Sequence, residues 1–264
     1  MEQTFDTPGP VQLAIHLDAG DIEVRASDRT TTRVEVTGYK EQEPSIECVP
    51  TPGGGYRVTV EHRAKKTWGF SFGRGVEVRV EVPTGAQVYG SSGAADLEAY
   101  GTFDTIEVKT GSGDIEFEDV TGDVHISCAS GDVEGRSVAG HLSVKGASGD
   151  VEIGRVGNGI TMRSASGDVE VDMLDGDSVI TVGSGDIELR DVGAGRVEVR
   201  AVAGDVQLGV RAGLGVWLDV SSSSGDVHSS LETPERDGTR PDPDLELTVH
   251  TVSGDVDVHP VGRR

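Results

Sequence analysis

The chain has 264 residues, of which 35% are hydrophobic and only 4% aromatic, and it carries a formal net charge of −23. This charge argues against binding to nucleic acid or to anionic membrane surfaces, because both attract clustered Lys and Arg. No segment approaches the roughly 18 apolar residues of a membrane span. The opening MEQTFDTPGP lacks the features of a signal peptide, so we expect a cytoplasmic protein. Two cysteines, Cys48 and Cys128, are too few for a disulfide framework and fit a reducing compartment.

The first predicted coil lies in VQLAIHLDAGDIEV, where apolar and polar residues alternate on both sides of a Gly-Asp pair. Alternation with a period of two predicts strands that bury one face. The next region alternates equally well in TTRVEV, YRVTVEH and VEVRVEV but has no Gly-Asp turn. We therefore predict that residues 30–84 form an irregular β-meander that caps the first coils.

One segment of this cap, KKTWGFSFGRG, combines aromatic and basic residues on an otherwise acidic protein. Aromatic and Arg side chains dominate binding hot spots, so one interpretation is a loop that contacts a protein partner. The other interpretation is that the loop covers the open end of the repeat array and protects its terminal coil. The candidate partner-binding residues are Trp68, Phe70, Phe72 and Arg74.

Residues 85–230 contain the clearest repeat, a Ser-Gly-Asp-like turn that returns every 18–21 residues. Apolar residues recur two positions after each turn glycine and five and seven positions before it, so each repeat is strand, turn, strand, turn. We predict an all-β fold, namely a parallel β-solenoid (β-helix) whose coils have about 18 residues and two strands each. The turn glycines are Gly93, Gly113, Gly131, Gly149, Gly167, Gly185, Gly204 and Gly225.

The end of the chain departs from this spacing. Residues 231–246 hold three of the ten prolines and many charges, which predicts a mobile surface loop. Residues 247–264 repeat the turn once more and are expected to form the final coil. The whole chain, residues 1–264, is thus expected to be a single β-solenoid domain.

An aspartate follows the turn glycine in almost every coil. We expect a local role, in which the carboxylate accepts a hydrogen bond from a backbone N–H two residues on. Calcium binding is the alternative, although Ca²⁺ needs six to eight oxygens and the chain lacks the glycine-rich nonapeptide of calcium-binding β-rolls. The candidate metal ligands are Asp132, Asp150, Asp168 and Asp186.

A row of basic residues stands four positions before the turn glycine, at Lys109, Lys145, Arg163 and Arg200. We predict that these side chains point outward, where they either protect the sheet from aggregation or form a protein-docking face. No histidine pair, nucleophile motif, Walker loop or dinucleotide fingerprint is present. The sequence therefore predicts no enzyme activity and no cofactor.

The SGDVEV repeats, the opening DTPGPVQLAIHLDAGDIEV and the late segment LTVHTVSGDVDV resemble a bacterial β-strand-repeat family labelled "putative adhesin". The resemblance extends over nearly the whole chain and is strongest to actinobacterial-type members without a signal peptide. It implies a β-repeat fold and supplies no catalytic or binding residues. The label itself implies a role at the cell surface.

Three functional hypotheses follow. The first is a non-catalytic scaffold or interaction module in the cytoplasm that binds an unknown protein partner, with self-association through the solenoid ends left open. The second is an adhesin-like protein of the cell surface. The third is a β-roll stabilised by calcium.

Overall fold

The computed structural model describes residues 1–39, 42–62, 75–231 and 242–262, and the chain divides into two compact units, Met1–Val138 and Ala139–Arg264. Throughout the described ranges the regular secondary structure is β-strand, which confirms the predicted all-β class. These ranges contain no helix that is long and apolar enough to cross a membrane.

The first unit contains ten strands within its described residues. They are β1 (Glu2–Asp6), β2 (Val11–Ser27), β3 (Thr31–Thr37), β4 (Ser45–Pro50), β5 (Tyr56–His62), β6 (Val76–Pro83), β7 (Ala86–Ser112), β8 (Ile115–Val120), β9 (Val124–Ser130) and β10 (Val133–Val138).

Parallel pairing stacks these strands into coils. The two halves of β2 form one coil and pair with the first two-thirds of β7, which forms the next. The last part of β7 joins β8 in a third coil, and β9 and β10 follow as a fourth. The predicted parallel solenoid is thereby confirmed.

The predicted meander proves to be partly a coil. Strands β5 and β6 pair in parallel with the two halves of β2, so they form an additional coil on its outer side. Three pairs of the described strands are antiparallel, namely β4 on β5, β3 on β6 and β1 on β3. No Gly-Asp pair stands between β5 and β6 in the sequence, which is why the sequence did not identify this coil.

The second unit contains twelve strands within its described residues. They are β11 (Leu142–Ser148), β12 (Val151–Val156), β13 (Ile160–Ser166), β14 (Val169–Leu174), β15 (Ser178–Ser184), β16 (Ile187–Val192), β17 (Gly195–Ala203), β18 (Val206–Arg211), β19 (Val216–Ser224), β20 (Val227–Ser229), β21 (Leu245–Ser253) and β22 (Val256–Val261).

Two parallel ladders run through this unit. The first ladder has the order β11-β13-β15-β17-β21-β19, and the second has the order β12-β14-β16-β18-β22-β20. The coil that comes last in sequence, β21 with β22, therefore lies between β17/β18 and β19/β20. The coil at the end of the stack is β19 with β20, which we call the end coil.

The core consists of the apolar columns that the repeat predicted. Val133, Val169 and Ile187, each two positions after a turn glycine, are at most 2% exposed. Ser178 interrupts one column, and its buried hydroxyl accepts a hydrogen bond from Ile160 N–H and donates one to the Gly176 carbonyl. Burial of this polar group is therefore compensated, as stability requires.

Candidate functional site

The turn glycine is fixed by the coil beneath it. Gly167 has a φ of +120°, and a Cβ added there would lie 2.1 Å from the carbonyl oxygen of Gly149. Gly185 repeats this relation with the carbonyl of Gly167, at 2.2 Å. Any side chain would both strain the backbone and collide with the preceding coil. The repeated glycine is thus a requirement of coil stacking.

The aspartate that follows joins one coil to the next. In the second unit, the N–H of Asp186 donates to Oδ1 of Asp168, and the N–H of Asp168 donates to Oδ1 of Asp150, both at 2.8 Å. In the first unit, the N–H groups of Asp132 and Asp114 donate in the same way to the preceding Asp carboxylates, both at 2.9 Å. The expected local bond to a residue two positions on is wrong, because the donor is the equivalent N–H of the next coil.

The chain of aspartates continues to the end coil. Asp205 donates to Asp186, Asp255 to Asp205, and Asp226 to Asp255, all at 2.8 Å. An N–H donor beside each carboxylate offsets part of the repulsion between charges one coil apart. We call the exposed aspartates the Asp column.

A second column of carboxylates runs beside the first. In the first unit Glu98, Glu116 and Glu134 are in register on adjacent strands, and in the second unit Glu152, Glu170 and Glu188 are. We call these residues the Glu column. In the first unit, a groove of about 330 Å³ lies between Asp96, Asp114 and Asp132 on one side and the Glu column on the other.

Arginine side chains neutralise part of the acidic surface. The Arg190 guanidinium contacts carboxylates of Glu170, Asp172 and Glu188 at 2.5, 2.6 and 2.9 Å. The hydrogen bonds that Arg190 donates to Glu188 and Asp172 raise its pKa. The acidic groove of the first unit is lined by carboxylates without such an arginine.

The metal candidates do not form a chelating cluster. No group of three or more His, Cys, Asp or Glu side chains in the described ranges is arranged to hold a metal ion. Asp132, Asp150, Asp168 and Asp186 are exposed and stand one to a coil. An ion on this column would meet single carboxylates one strand spacing apart, whereas Ca²⁺ needs a convergent set of oxygens.

The predicted aromatic contact residues fall outside the described ranges. Trp68, Phe70, Phe72 and Arg74 belong to residues 63–74, which the structure does not describe. Their assignment as partner-binding or capping residues stays a prediction.

The basic row does point outward. Lys109, Lys145, Arg163 and Arg200 are all exposed, and Lys145 and Arg163 are in register on adjacent strands of the first ladder. In the second unit the basic row and the Glu column therefore lie on different ladders. The outward placement of the basic row is confirmed. Its role as a protein-docking face stays a prediction.

The two cysteines differ in burial, because Cys128 belongs to the core whereas Cys48 is half-buried on β4. Cys128 is buried, and its thiol contacts the Ser130 carbonyl oxygen at 3.0 Å. Burial raises the pKa of the Cys128 thiol and also that of Cys48. Both shifts disfavour the thiolate, which is the reactive form.

Sequence reasoning missed a lattice of paired charges on the first unit. Strand register places Arg25 beside Glu81 and Glu23 beside Arg79, and β3 adds Arg33 beside Glu81. Hydrogen bonds, first from Arg25 and then from Arg79, lower the pKa of Glu23. The pKa of Glu81 is lowered mainly by its hydrogen bond from Arg29. We call these residues the charge lattice; alternating signs in RVEV and VEVRVEV are the sequence signal that could have revealed it.

A cleft of about 680 Å³ adjoins the lattice and is lined by Arg25, Arg29, Glu81, Tyr100 and Glu118, among others. The Arg25 guanidinium carbon lies 4.9 Å from the centre of the Tyr100 ring, as in a cation–π contact. Glu118 accepts a hydrogen bond from Gly101 N–H at 2.6 Å. The polar groups of this cleft are thus largely paired with one another.

Comparison with known proteins places the chain among β-repeat proteins. The family model described as Toastrack DUF4097 matches residues 11–259. The chain is similar to a solved "putative adhesin" from Bacteroides fragilis, with 12% identity, a TM-score of 0.49 and coverage of 99% of this chain and 96% of that one. Similar structures from Parabacteroides distasonis (11%, TM-score 0.39) and Parabacteroides merdae (12%, TM-score 0.36) have the same coverages. No curated protein matches this chain.

Proposed function

Because the chain belongs to the Toastrack DUF4097 family, whose function is unknown, we propose a role that the repeated coil can perform: a non-catalytic interaction module that binds the basic surface of a protein partner. The supporting observation is the acidic groove of the first unit, where Asp and Glu carboxylates recur once per coil. Lys and Arg side chains on a partner would meet this row at a regular spacing. Complementary charge chiefly speeds encounter and selects the partner.

The regular coils favour binding over catalysis. In the described ranges, the inner coils are joined by short turns, and the cleft beside the charge lattice is lined by Arg and Glu side chains that largely form ion pairs. Catalytic sites usually need a concave pocket with a few convergent polar groups. We further propose a cytoplasmic location, which the cell fractionation described below tests.

Neutralising the groove tests this role. We expect Glu98→Gln, Glu116→Gln and Glu134→Gln together to reduce recovery of a bound protein from native extracts. The control is Asp6→Asn, Glu47→Gln and Glu61→Gln, which remove the same charge from exposed positions of the same unit. Affinity purification at increasing salt, with quantitative mass spectrometry, measures both. Equal recovery with both triple variants would contradict the groove assignment.

Two further results separate the alternatives. Loss of binding in Trp68→Ala with Phe72→Ala, with an unchanged circular dichroism spectrum, would make the aromatic segment the contact. Unfolding of that double variant would instead make the segment a cap. Cell fractionation tests the compartment, since recovery from the surface fraction would favour the adhesin-like role over the cytoplasmic one.

A further inference from the structure

The end coil leaves its inner surface partly open. Val227 is 47% exposed, whereas Val206 and Val256 in the same column are 1% exposed. Leu218 and Val220 are half-buried, although their counterparts on β21, Leu247 and Val249, are fully buried. In an inner coil, the apolar side chains are covered by a coil on each side. In the end coil, they are covered by β21/β22 on one side only.

The backbone of the end coil is open in the same direction. Within the described ranges, β19 pairs only with β21, and β20 pairs only with β22. The Asp column also stops here: Asp226 N–H donates to Asp255 at 2.8 Å, while no backbone N–H of the described chain donates to the Asp226 carboxylate. The end coil therefore presents hydrogen-bonding groups that would continue the contact between coils.

This edge lacks the usual protection against strand pairing. Natural edge strands are blunted by Lys, Pro, bulges or inward charges. Strand β19, VWLDVSSSS, has nine residues with one charge, Asp219, and no Lys or Pro. By contrast, the edge strand β4 of the first unit carries Glu47 and Pro50. An unprotected edge of this length is typical of a strand that has a partner.

The partner must continue two ladders at once. It has to supply one strand beside β19 and another beside β20, with apolar residues facing the same interior. A second end coil, turned by a two-fold axis perpendicular to the ladders, does this, because β19 then pairs antiparallel with its copy and β20 with its copy. We infer that two copies of this chain associate through their end coils into a two-fold dimer. Such a contact uses the same surface on both copies and therefore closes without forming a filament.

Charge agrees with this choice of surface. Two chains of −23 each repel one another overall. Over residues 216–229 the only acidic residues are Asp219 and Asp226. Ser221 stands where several inner coils carry Arg or Lys, and His228 stands where several carry Glu. Repulsion is therefore weak at the contact and comes mainly from distant charges, so added salt should strengthen the dimer by screening them.

The test is the mass in solution of the full chain, by light scattering after size exclusion, over a range of concentration and salt. We expect twice the 27.6 kDa chain mass, with a larger dimeric fraction in high salt. Val220→Lys should weaken association by more than about tenfold, because it places a charge in the apolar contact. Val227→Lys, in the apolar column of β20, should weaken it in the same way with less effect on the end coil itself, because Val227 is already 47% exposed there.

Matched measurements keep the inference falsifiable. Ser221→Lys places the same charge on the outer face of β19, at the repeat position where Lys145 and Arg163 stand on adjacent inner strands, and should leave the dimer intact. Circular dichroism and thermal melting check that each variant is folded. A wild-type chain that stays at monomer mass in all conditions overturns the inference, as does a folded Val227→Lys protein that dimerises like wild type. A mass that rises with concentration without a limit would replace the two-fold contact by head-to-tail stacking.

Discussion

Each turn glycine in the coils lies against a carbonyl oxygen of the adjacent coil. The effect of a Gly→Ala substitution on stability therefore depends on whether another coil lies against that glycine. At Gly167 a Cβ would approach the Gly149 oxygen to 2.1 Å, while at Gly213, with a φ of +90°, no atom lies within 4 Å. The two positions separate the cost of backbone strain from the cost of collision between coils.

We expect Gly167→Ala to lower the free energy of unfolding by clearly more than Gly213→Ala. Strain alone costs about 1–2 kcal/mol for an L-residue in a left-handed conformation, and Gly167→Ala must add the displacement of a coil. Urea unfolding of the two variants and wild type measures both costs. Equal destabilisation of the two variants would mean that adjacent coils can move apart locally at no cost in the free energy of unfolding.

The Asp column should stabilise the stack because each side chain supplies a hydrogen-bond acceptor, not because it carries a negative charge. Asp168→Ala removes the partner of Asp186 N–H and should cost about 1 kcal/mol. Asp168→Asn keeps an oxygen acceptor and removes a charge near Asp150 and Asp186, so its stability should match or exceed that of wild type. Urea unfolding distinguishes the two. If Asn were as harmful as Ala, the negative charge itself would be needed, as in cation binding.

At the scale of the strand, the charge lattice predicts a response to acid. The pKa values of Glu23 and Glu81 are lowered in the folded protein by hydrogen bonds from arginines. A carboxyl group with a lowered folded pKa contributes stability that is fully present above its unfolded pKa and is lost as pH falls through the folded pKa. We therefore expect the melting temperature to fall on acidification below the ordinary Glu range.

Thermal melting from neutral to acidic pH checks this expectation. Glu23→Gln with Glu81→Gln should be less stable at neutral pH and should lose less stability on acidification. Glu47→Gln with Glu61→Gln is the control, because these exposed acids lie outside the charge lattice and should leave the slope unchanged. A slope that is the same in both double variants would locate the acid sensitivity elsewhere.

The alternation within strands also shows how much of the fold could be predicted from the sequence. Alternation around Val133, Val169 and Ile187 predicted the buried columns, because a side chain in a strand must face one side or the other. It could not predict the partner of each strand, since alternation is the same whichever coil lies next door. The β5/β6 coil was therefore read as meander, and the position of β21/β22 inside the stack was missed.

The candidate site was predicted in part for a similar reason. The Gly-Asp letters indicated a turn, but the hydrogen bond from Asp186 to Asp168 joins residues 18 positions apart and depends on coil spacing. The charge lattice combines β2, β3 and β6, whose pairing the sequence did not reveal. Charges on neighbouring strands can be matched only after the register is known.

For the whole molecule, the net charge of −23 and the dispersed Asp column lead to one prediction about ions. Added salt should raise the melting temperature by screening self-repulsion. Calcium should raise the melting temperature no more than sodium does at the same ionic strength, because the described carboxylates do not converge on a single site. Melting with EDTA, with Ca²⁺ and with matched NaCl measures the difference. A rise of many degrees specific to Ca²⁺ would contradict this and support a calcium-stabilised roll.

The position of β21/β22 between β17/β18 and β19/β20 also affects how the chain folds during synthesis and how it resists unfolding. During synthesis, the end coil leaves the ribosome before the coil on which it rests, so it must wait for β21 and β22 before it can dock. Once docked, it is a loop held at both ends rather than a free tail. A tethered loop has less conformational entropy to gain by detaching, so fraying from this end is opposed.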